Sequence, residues 1–364
     1  MKAAGRLAAL RRRLHDDEAP AVLVTDPSNL NYLTGFEDVI DPGIHAACLV
    51  TTDSARFYTD TRYIDAAAEA AAAEGGEWEV VVQRDDLYVE ICADLHARGT
   101  ESLLVESSIP YGRFAFISEQ FRGAVRAVDQ YVAQIRQVKE PAEVERIARA
   151  AAIADAAFQD VLEVIKPGIT ERELALELEF LMRRAGSEEM PFPIIVAAGP
   201  NGAHPHAIPG DRALARGDLA VIDFGARIGG YCSDVTRTVC VGAASEEQRR
   251  LYHAVLAANE AGLAAVRSGV PCVEADRAAR DVLEEAGLGE YFTHGLGHGV
   301  GLDVHEVPTV GRRSHESLRA GQVVTVEPGV YVSGMGGARI EDLVVVTEAG
   351  YRLLSHAPKQ LIEV

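Results

Sequence analysis

Short apolar runs alternate with helical patterns through the first third of the chain. Ala21–Val24 is wholly apolar and is closed by Asp26-Pro27, which predicts a strand and a turn. Ala46–Val50 and Arg56–Thr59 predict a hairpin around Thr52-Asp53-Ser54. The Ala-rich stretch Thr61 to Glu74 predicts a helix stopped by Gly75-Gly76. Glu79–Val82 and Leu103–Val105 are further strand candidates, so this part has an α/β pattern. Near Val138 the texture changes. Lys139-Glu140-Pro141 opens a long helical segment to about Ile165, with proline at the first helical position, where its missing N–H costs nothing. Lys166-Pro167-Gly168 ends it. The domain boundary falls between Tyr131 and Pro141, giving domains 1–135 and 136–364.

The second part contains a coarse internal repeat. Thr170-Glu171-Arg172-Glu173 is a capping box that starts a helix ending near Gly186. Strands are expected at Pro193–Ala198, Leu219–Phe224 and Tyr231–Val241. Ser245-Glu246-Glu247-Gln248 is a second capping box, opening a helix to about Val266. Another helix, Val273–Ala286, ends at Gly287, and strands follow at Gln322–Val326 and Arg339–Val346. Two helices then strands, twice over, describe a duplicated α+β unit.

Composition narrows the chemistry. With 48% hydrophobic and 25% charged residues over 364 positions, the chain has the mix of a globular protein large enough for two domains. Acidic residues number 55 against 35 basic ones, a formal net charge of −20. Nucleic acid and anionic membrane are disfavoured as partners, because phosphate binding needs a basic footprint. The five cysteines, Cys48, Cys92, Cys232, Cys240 and Cys272, form no C-x-x-C pair, which predicts free thiols in a reducing compartment. Met1 to Pro20 has no apolar core of a secretory signal and no stretch is long enough to span a membrane, so a cytoplasmic protein is expected.

Several catalytic signatures are missing. The sequence holds no G-x-x-x-x-G-K-[ST], no G-x-S-x-G and no H-E-x-x-H, and the Gly-rich run Gly295 to Gly301 never makes G-x-G-x-x-G. What stands out instead is acid set into apolar strands. Asp223 shares one face of Leu219–Phe224 with Leu219 and Val221. Asp234 lies eleven residues on, across the turn Arg227-Ile228-Gly229-Gly230, where a hairpin would bring the two carboxylates side by side. Glu327 ends the β-branched run Val323–Val326, and Glu341 opens an apolar strand with Arg339 on its face. One such acid usually caps a turn or meets an arginine. Several together need a common neutraliser, because an unpaired buried carboxylate costs several kcal/mol. With only four lysines in the chain, salt-bridge partners would have to be arginines, and divalent metal is the economical alternative. Mostly oxygen ligands with one histidine suit Mn²⁺, Co²⁺, Fe²⁺ or Zn²⁺. Nitrogen donors are on offer from His294, His298 and His305, and from the loop His204-Pro205-His206.

With these residues in view, the chain resembles the pita-bread metallopeptidases, in the branch of Xaa-Pro aminopeptidase (aminopeptidase P) and Xaa-Pro dipeptidase (prolidase). The matching text runs from His204-Pro205-His206-Ala207 through Val221-Ile222-Asp223-Phe224-Gly225 and Gly230-Tyr231-Cys232-Ser233-Asp234-Val235-Thr236-Arg237-Thr238. It continues with His294-Gly295-Leu296-Gly297-His298-Gly299-Val300-Gly301, His305-Glu306-Val307-Pro308, Glu327-Pro328-Gly329-Val330-Tyr331 and Arg339-Ile340-Glu341-Asp342. Asn29 to Phe36 looks like the creatinase-type N-terminal domain of the same branch. The resemblance implies a pita-bread α+β catalytic domain preceded by a smaller α/β domain.

By resemblance, Asp223, Asp234, His298, Glu327 and Glu341 hold two divalent ions, most naturally Mn²⁺ with Co²⁺ or Zn²⁺ as alternatives. Asp234 and Glu341 would bridge the ions. His206 would contact the reacting peptide group and its developing charge, His305 the substrate, and Glu327 would also shuttle a proton to the leaving proline nitrogen. His294, Tyr331 and Arg339 match substrate-contacting or supporting positions. The implied activity is hydrolysis of the Xaa–Pro bond, and the implied assembly a homodimer. The expectation leans to the aminopeptidase, with a dipeptidase next and an inactive protein-binding scaffold after it. Methionine aminopeptidase and creatinase are disfavoured, the first by the N-terminal domain, the second by the filled ligand positions.

Overall fold

The computed structural model describes residues 3–36, 39–40 and 45–364. The chain divides into two units, Met1–Arg136 and Gln137–Val364.

The first unit runs α1 (Ala3–Asp16), β1 (Ala21–Val24), α2 (Pro27–Thr34), β2 (Ala47–Thr51), β3 (Ala55–Thr59), α3 (Ile64–Ala73), β4 (Glu79–Val82), α4 (Leu87–Ala97), β5 (Ser102–Glu106), α5 (Tyr111–Gln120), β6 (Ala124–Val128) and α6 (Ala133–Arg136). Its six-stranded sheet has the order β4-β3-β2-β1-β5-β6. The expected hairpin is the antiparallel pair β2–β3, and β1 runs parallel to β5. The charged segment Ala3–Asp16, which the sequence reading takes only as lacking a signal core, is an amphipathic helix. It buries Leu7, Leu10 and Leu14 at helical spacing. α4 was not expected either. Asp86 caps it by accepting the backbone N–H groups of Tyr88 and Val89, and Leu87, Ile91 and Leu95 supply its buried stripe.

The second unit opens with α7 (Pro141–Val161) and α8 (Glu171–Arg184). Both have capping boxes, Glu140 with Glu143 and Thr170 with Glu173. α7 ends four residues before the expected Ile165, and turns fill the gap. β7 (Ile195–Ala198), β8 (Leu219–Phe224), β9 (Arg227–Ile228), β10 (Tyr231–Cys232) and β11 (Val235–Cys240) follow. The second helix pair is α9 (Glu246–Ala265), capped by Ser245 and Gln248, and α10 (Cys272–Glu285). The last strands are β12 (Gly297–Gly299), β13 (Glu306–Val310), β14 (Val323–Val326), β15 (Gly329–Val332), β16 (Gly336–Arg339), β17 (Asp342–Val346), β18 (Tyr351–Leu353) and β19 (Ile362–Glu363). Helix pair then strands does occur twice. The strands form sheets β19-β11-β8-β7 and β13-β12-β14-β17-β18, and each helix pair packs into its own apolar core.

Two expected strands are broken. Tyr231–Val241 is interrupted at Ser233-Asp234, and Arg339–Val346 is interrupted at Ile340-Glu341. Arg339 therefore ends one strand while Asp342 begins the next, and Glu341 sits in the gap. All five cysteines are buried free thiols. Among the described residues no helix is long and apolar enough to cross a membrane.

Candidate metal centre

Each acid arrives by a different local device. Asp223 is the one position of β8 that is not fully buried, because the strand is otherwise core on both faces. β8 pairs antiparallel with β11 in a register that sets Asp223 opposite Thr236, so Asp223 and Asp234 are not cross-strand partners as the hairpin reading expected. Asp234 lies just ahead of β11 and shares its inward face with Thr236 and Thr238.

His298 occupies the middle of β12, between two glycines. A Cβ on Gly297 would lie 2.1 Å from the Thr325 carbonyl oxygen, and one on Gly299 would lie 2.3 Å from that of Val307. Only glycine lets the neighbouring backbones approach this closely, and that approach holds the imidazole at the sheet's open side. Glu327 directly follows β14, outside any strand, its backbone N–H donated to the Leu296 carbonyl.

Asp234, His298 and Glu341 each present a ligand atom, all within 4.8 Å of one another. His298 Nε2 is 3.6 Å from Asp234 Oδ2 and 3.3 Å from Glu327 Oε1. Its Nδ1 lies 3.0 Å from the Gly299 carbonyl, which can only accept. Nδ1 therefore carries the proton, and in the neutral ring Nε2 points its lone pair into the cluster. Asp234 and Glu341 are 5% and 2% exposed. Burial first, then the neighbouring carboxylates, holds both well above the usual carboxylate range. Burial also raises Asp223, although Arg339 opposes it. Glu327 goes the other way. Burial pushes it up, but the His298 hydrogen bond and charge bring it down to about 2.

The arginine test raised by the sequence has a divided answer. Arg339 Nη2 donates to Asp223 Oδ2 at 2.6 Å, so one acid does have its arginine. That bond takes a single oxygen. Asp223 Oδ1 and Glu341 Oε1 are buried without a hydrogen-bond partner. Orphaned carboxylate oxygens beside a histidine whose Nε2 faces the acids fit divalent cations of the oxygen- and nitrogen-binding kind.

Supporting groups surround the acids. Thr236 Oγ1 donates to Glu341 Oε2 at 2.7 Å and accepts from Arg339 Nε at 3.0 Å. Thr325 Oγ1 donates to Glu327 Oε1 at 3.2 Å. Neither threonine was singled out from sequence, though the period-two spacing of Asp234, Thr236 and Thr238 was a usable signal. Arg339 Nη1 donates to the Tyr331 hydroxyl at 2.6 Å, and that hydroxyl lies 3.0 Å from His294 Nε2. His294 Nδ1 donates to the Gly295 carbonyl, so Tyr331 donates to Nε2 of a ring that burial keeps neutral. His305 stacks obliquely on His298, ring centroids 4.2 Å apart, with its pKa lowered by burial and by that neighbour. His206 is exposed, on a loop whose Pro205 carbonyl accepts from Arg339 Nη1 at 3.4 Å, and its charge bears on both His294 and His305. The cluster of three is what the geometry closes around. Glu327 and Asp223 flank it, and His305 stacks on its histidine.

Comparison with known proteins bears on the family and the fold. Residues 145–348 match metallopeptidase family M24, and residues 6–138 match the creatinase/prolidase N-terminal domain. An Xaa-Pro dipeptidase of Pyrococcus horikoshii is 37% identical, with 94% of each chain covered. A solved Xaa-Pro dipeptidase from Bacillus anthracis superposes with a TM-score of 0.94 at 35% identity, covering 100% of both chains. A solved X-Pro aminopeptidase from Thermotoga maritima gives 0.88 at 33% identity, with 98% of this chain and 99% of that chain covered. The expectation had leaned to the aminopeptidase, whereas the relatives' names favour the dipeptidase. From the family match over more than half its length and relatives covering nearly all of it, the chain belongs to metallopeptidase family M24, with the pita-bread fold behind a creatinase-type N-terminal domain.

Proposed function

We propose that the protein is an Xaa-Pro dipeptidase, a prolidase that hydrolyses the Xaa–Pro bond of dipeptides. The observation that carries this reading is the near full-length similarity to proteins of that name in Pyrococcus and Bacillus. The Thermotoga structure supports the second reading, an aminopeptidase releasing the residue before proline from longer peptides.

In either case Asp223, Asp234, His298, Glu327 and Glu341 would hold two divalent ions, Mn²⁺ first and Co²⁺ or Zn²⁺ as alternatives. When bound, such ions polarise the scissile carbonyl and lower the pKa of the attacking water from 15.7 to roughly 7. The chain's own groups do the rest. Glu327, ionised at neutral pH, is placed to take the water's proton and pass it to the leaving proline nitrogen. His206 and His305 donate to charge developing on the peptide oxygen. Arg339 fixes Asp223 and, through Tyr331, the orientation of His294 against the substrate.

Turnover of an Xaa-Pro dipeptide compared with an Xaa-Pro-Yaa tripeptide on the metal-loaded protein tests the choice. Cleavage of the dipeptide with little or none of the tripeptide is expected. Preferred cleavage of the tripeptide would move the assignment to the aminopeptidase, and failure on both would remove the proline specificity.

A further inference from the structure

Asn259 is wholly buried in the middle of α9 and carries no part of the chemistry above. Its Nδ2 donates to the Val326 carbonyl at 2.9 Å and to the Ile340 carbonyl at 3.3 Å. Its Oδ1 accepts from Lys359 Nζ at 3.0 Å, which leaves no doubt which amide atom faces which way. The residues after those two carbonyls are Glu327 and Glu341. One planar amide thus holds the two peptide units that lead directly into two acids of the centre, one beyond the end of β14 and the other in the gap after β16. Both lie where strand pairing stops and can no longer fix the backbone.

The same side chain anchors a longer chain of bonds. Lys359 Nζ also donates to Asp342 Oδ2 at 2.7 Å, and Arg237 Nη2 donates to Asp342 Oδ1 at 2.9 Å. Arg237 Nη1 donates to the Glu341 carbonyl itself, and the Glu341 N–H is donated to the Thr236 carbonyl at 3.1 Å. Glu341 is therefore held at its own N–H, at its own carbonyl and at the carbonyl before it. The Glu327 backbone has two holds, its N–H on Leu296 and the Val326 carbonyl on Asn259. Among the described residues, Asn259 is the one side chain that hydrogen-bonds the peptide units leading into both acids.

We propose that Asn259 is a positioning residue that sets the spacing between Glu327 and Glu341, and so the affinity of the centre for its ions. The inference rests on the two-metal reading. Groups that orient metal ligands without touching the ion typically contribute 10–100-fold to affinity. Removing the amide while keeping its volume frees both peptide units without disturbing any ligand side chain.

The experiment is Mn²⁺ titration of chelator-stripped protein by calorimetry, alongside the melting temperature of the metal-free form. Asn259→Leu is compared with wild type, and Asn259→Ser, which retains one hydroxyl donor, serves should the leucine variant not fold. Leu251→Ala is the control. It cuts a buried side chain of the same helix two turns away, about 12 Å along the axis, and touches neither carbonyl. Asn259→Leu should raise the Mn²⁺ Kd about 10–100-fold, with Asn259→Ser in between. Leu251→Ala should lower the melting temperature and leave the Kd unchanged. An Asn259→Leu Kd matching wild type overturns the proposal alone, as does a Leu251→Ala loss of equal size. A wild type that takes up no Mn²⁺ removes the metal centre and the proposal with it.

Discussion

Substituting Glu341→Gln should stabilise the metal-free protein while impairing the metal-loaded one. Asp234 and Glu341 present oxygens within 4.8 Å of each other in a buried setting. At that separation two full charges repel by about 3.5 kcal/mol at an effective dielectric constant of 20. Part of this is relieved because burial and mutual repulsion favour a retained proton, so about half, roughly 2 kcal/mol, is a fair expectation near pH 8. The introduced amide would still accept from Thr236 Oγ1 through its oxygen, and its nitrogen could donate toward Asp234 in place of the orphaned Glu341 oxygen. For a unit of this size roughly 2–4 °C accompany each kcal/mol, so the variant should melt about 4–8 °C above wild type in excess chelator. With Mn²⁺ at 100 times its Kd, wild type should gain about 2.7 kcal/mol and the variant much less, so their order reverses. Differential scanning calorimetry with and without metal reads both effects. A variant that melts below wild type in chelator would show that the acids do not repel, and the electrostatic case for a cation would collapse.

Exhaustive chelation should abolish peptidase activity, and Mn²⁺ or Co²⁺ should restore it; undiminished turnover by stripped protein, checked by elemental analysis, would contradict the scheme. His206→Ala should lower kcat about 10²–10³-fold, as loss of one charge-stabilising donor does, yet leave the melting temperature almost unchanged, since the side chain is exposed. Glu106, in the first unit, is 3% exposed and accepts from the Thr25 and Asp26 N–H groups and from Asn29, yet burial raises its pKa to about 7. A raised carboxylate favours folding fully below its unfolded pKa of about 4.3, and that contribution drains away as pH climbs to about 7. Denaturant melts of wild type should lose about 3 kcal/mol across that interval, and the slope should flatten in Glu106→Gln; equal slopes would refute the assignment.

Much of the architecture is written locally. The capping boxes at Thr170 and Ser245 and the proline opening α7 place the starts of three helices almost to the residue, because the boxes accept the unpaired backbone donors of the first turn and the proline has no such donor to leave unpaired. Asp86 made the same local announcement for α4 and was passed over. The strand breaks at Asp234 and Glu341 were not legible. D-V-T-R-T and R-I-E-D-L-V-V-V are good strand sequences, and only tertiary partners, such as the Thr236 carbonyl waiting for the Glu341 N–H, stop the ladder there. The four acids were found by their incongruity in apolar strands. Arg339 as the partner of Asp223 was not, since that bond joins positions 116 residues apart. The proposed choice of dipeptidase over aminopeptidase has no residue pattern behind it and rests on the relatives' names alone.

The interrupted strands have a thermodynamic corollary. Asp234 comes from the first helix-pair-and-strands half, while His298 and Glu341 come from the second. An ion held by all three is a ligand of the joined halves and of neither alone. Linkage then demands reciprocity: whatever factor docking adds to ion affinity, the ion adds to docking. Two fragments severed in the loop 241–245 should reassociate more tightly in manganese than in chelator, and the ratio of those association constants would measure how far assembly of the duplicated fold and capture of its cofactor are one event.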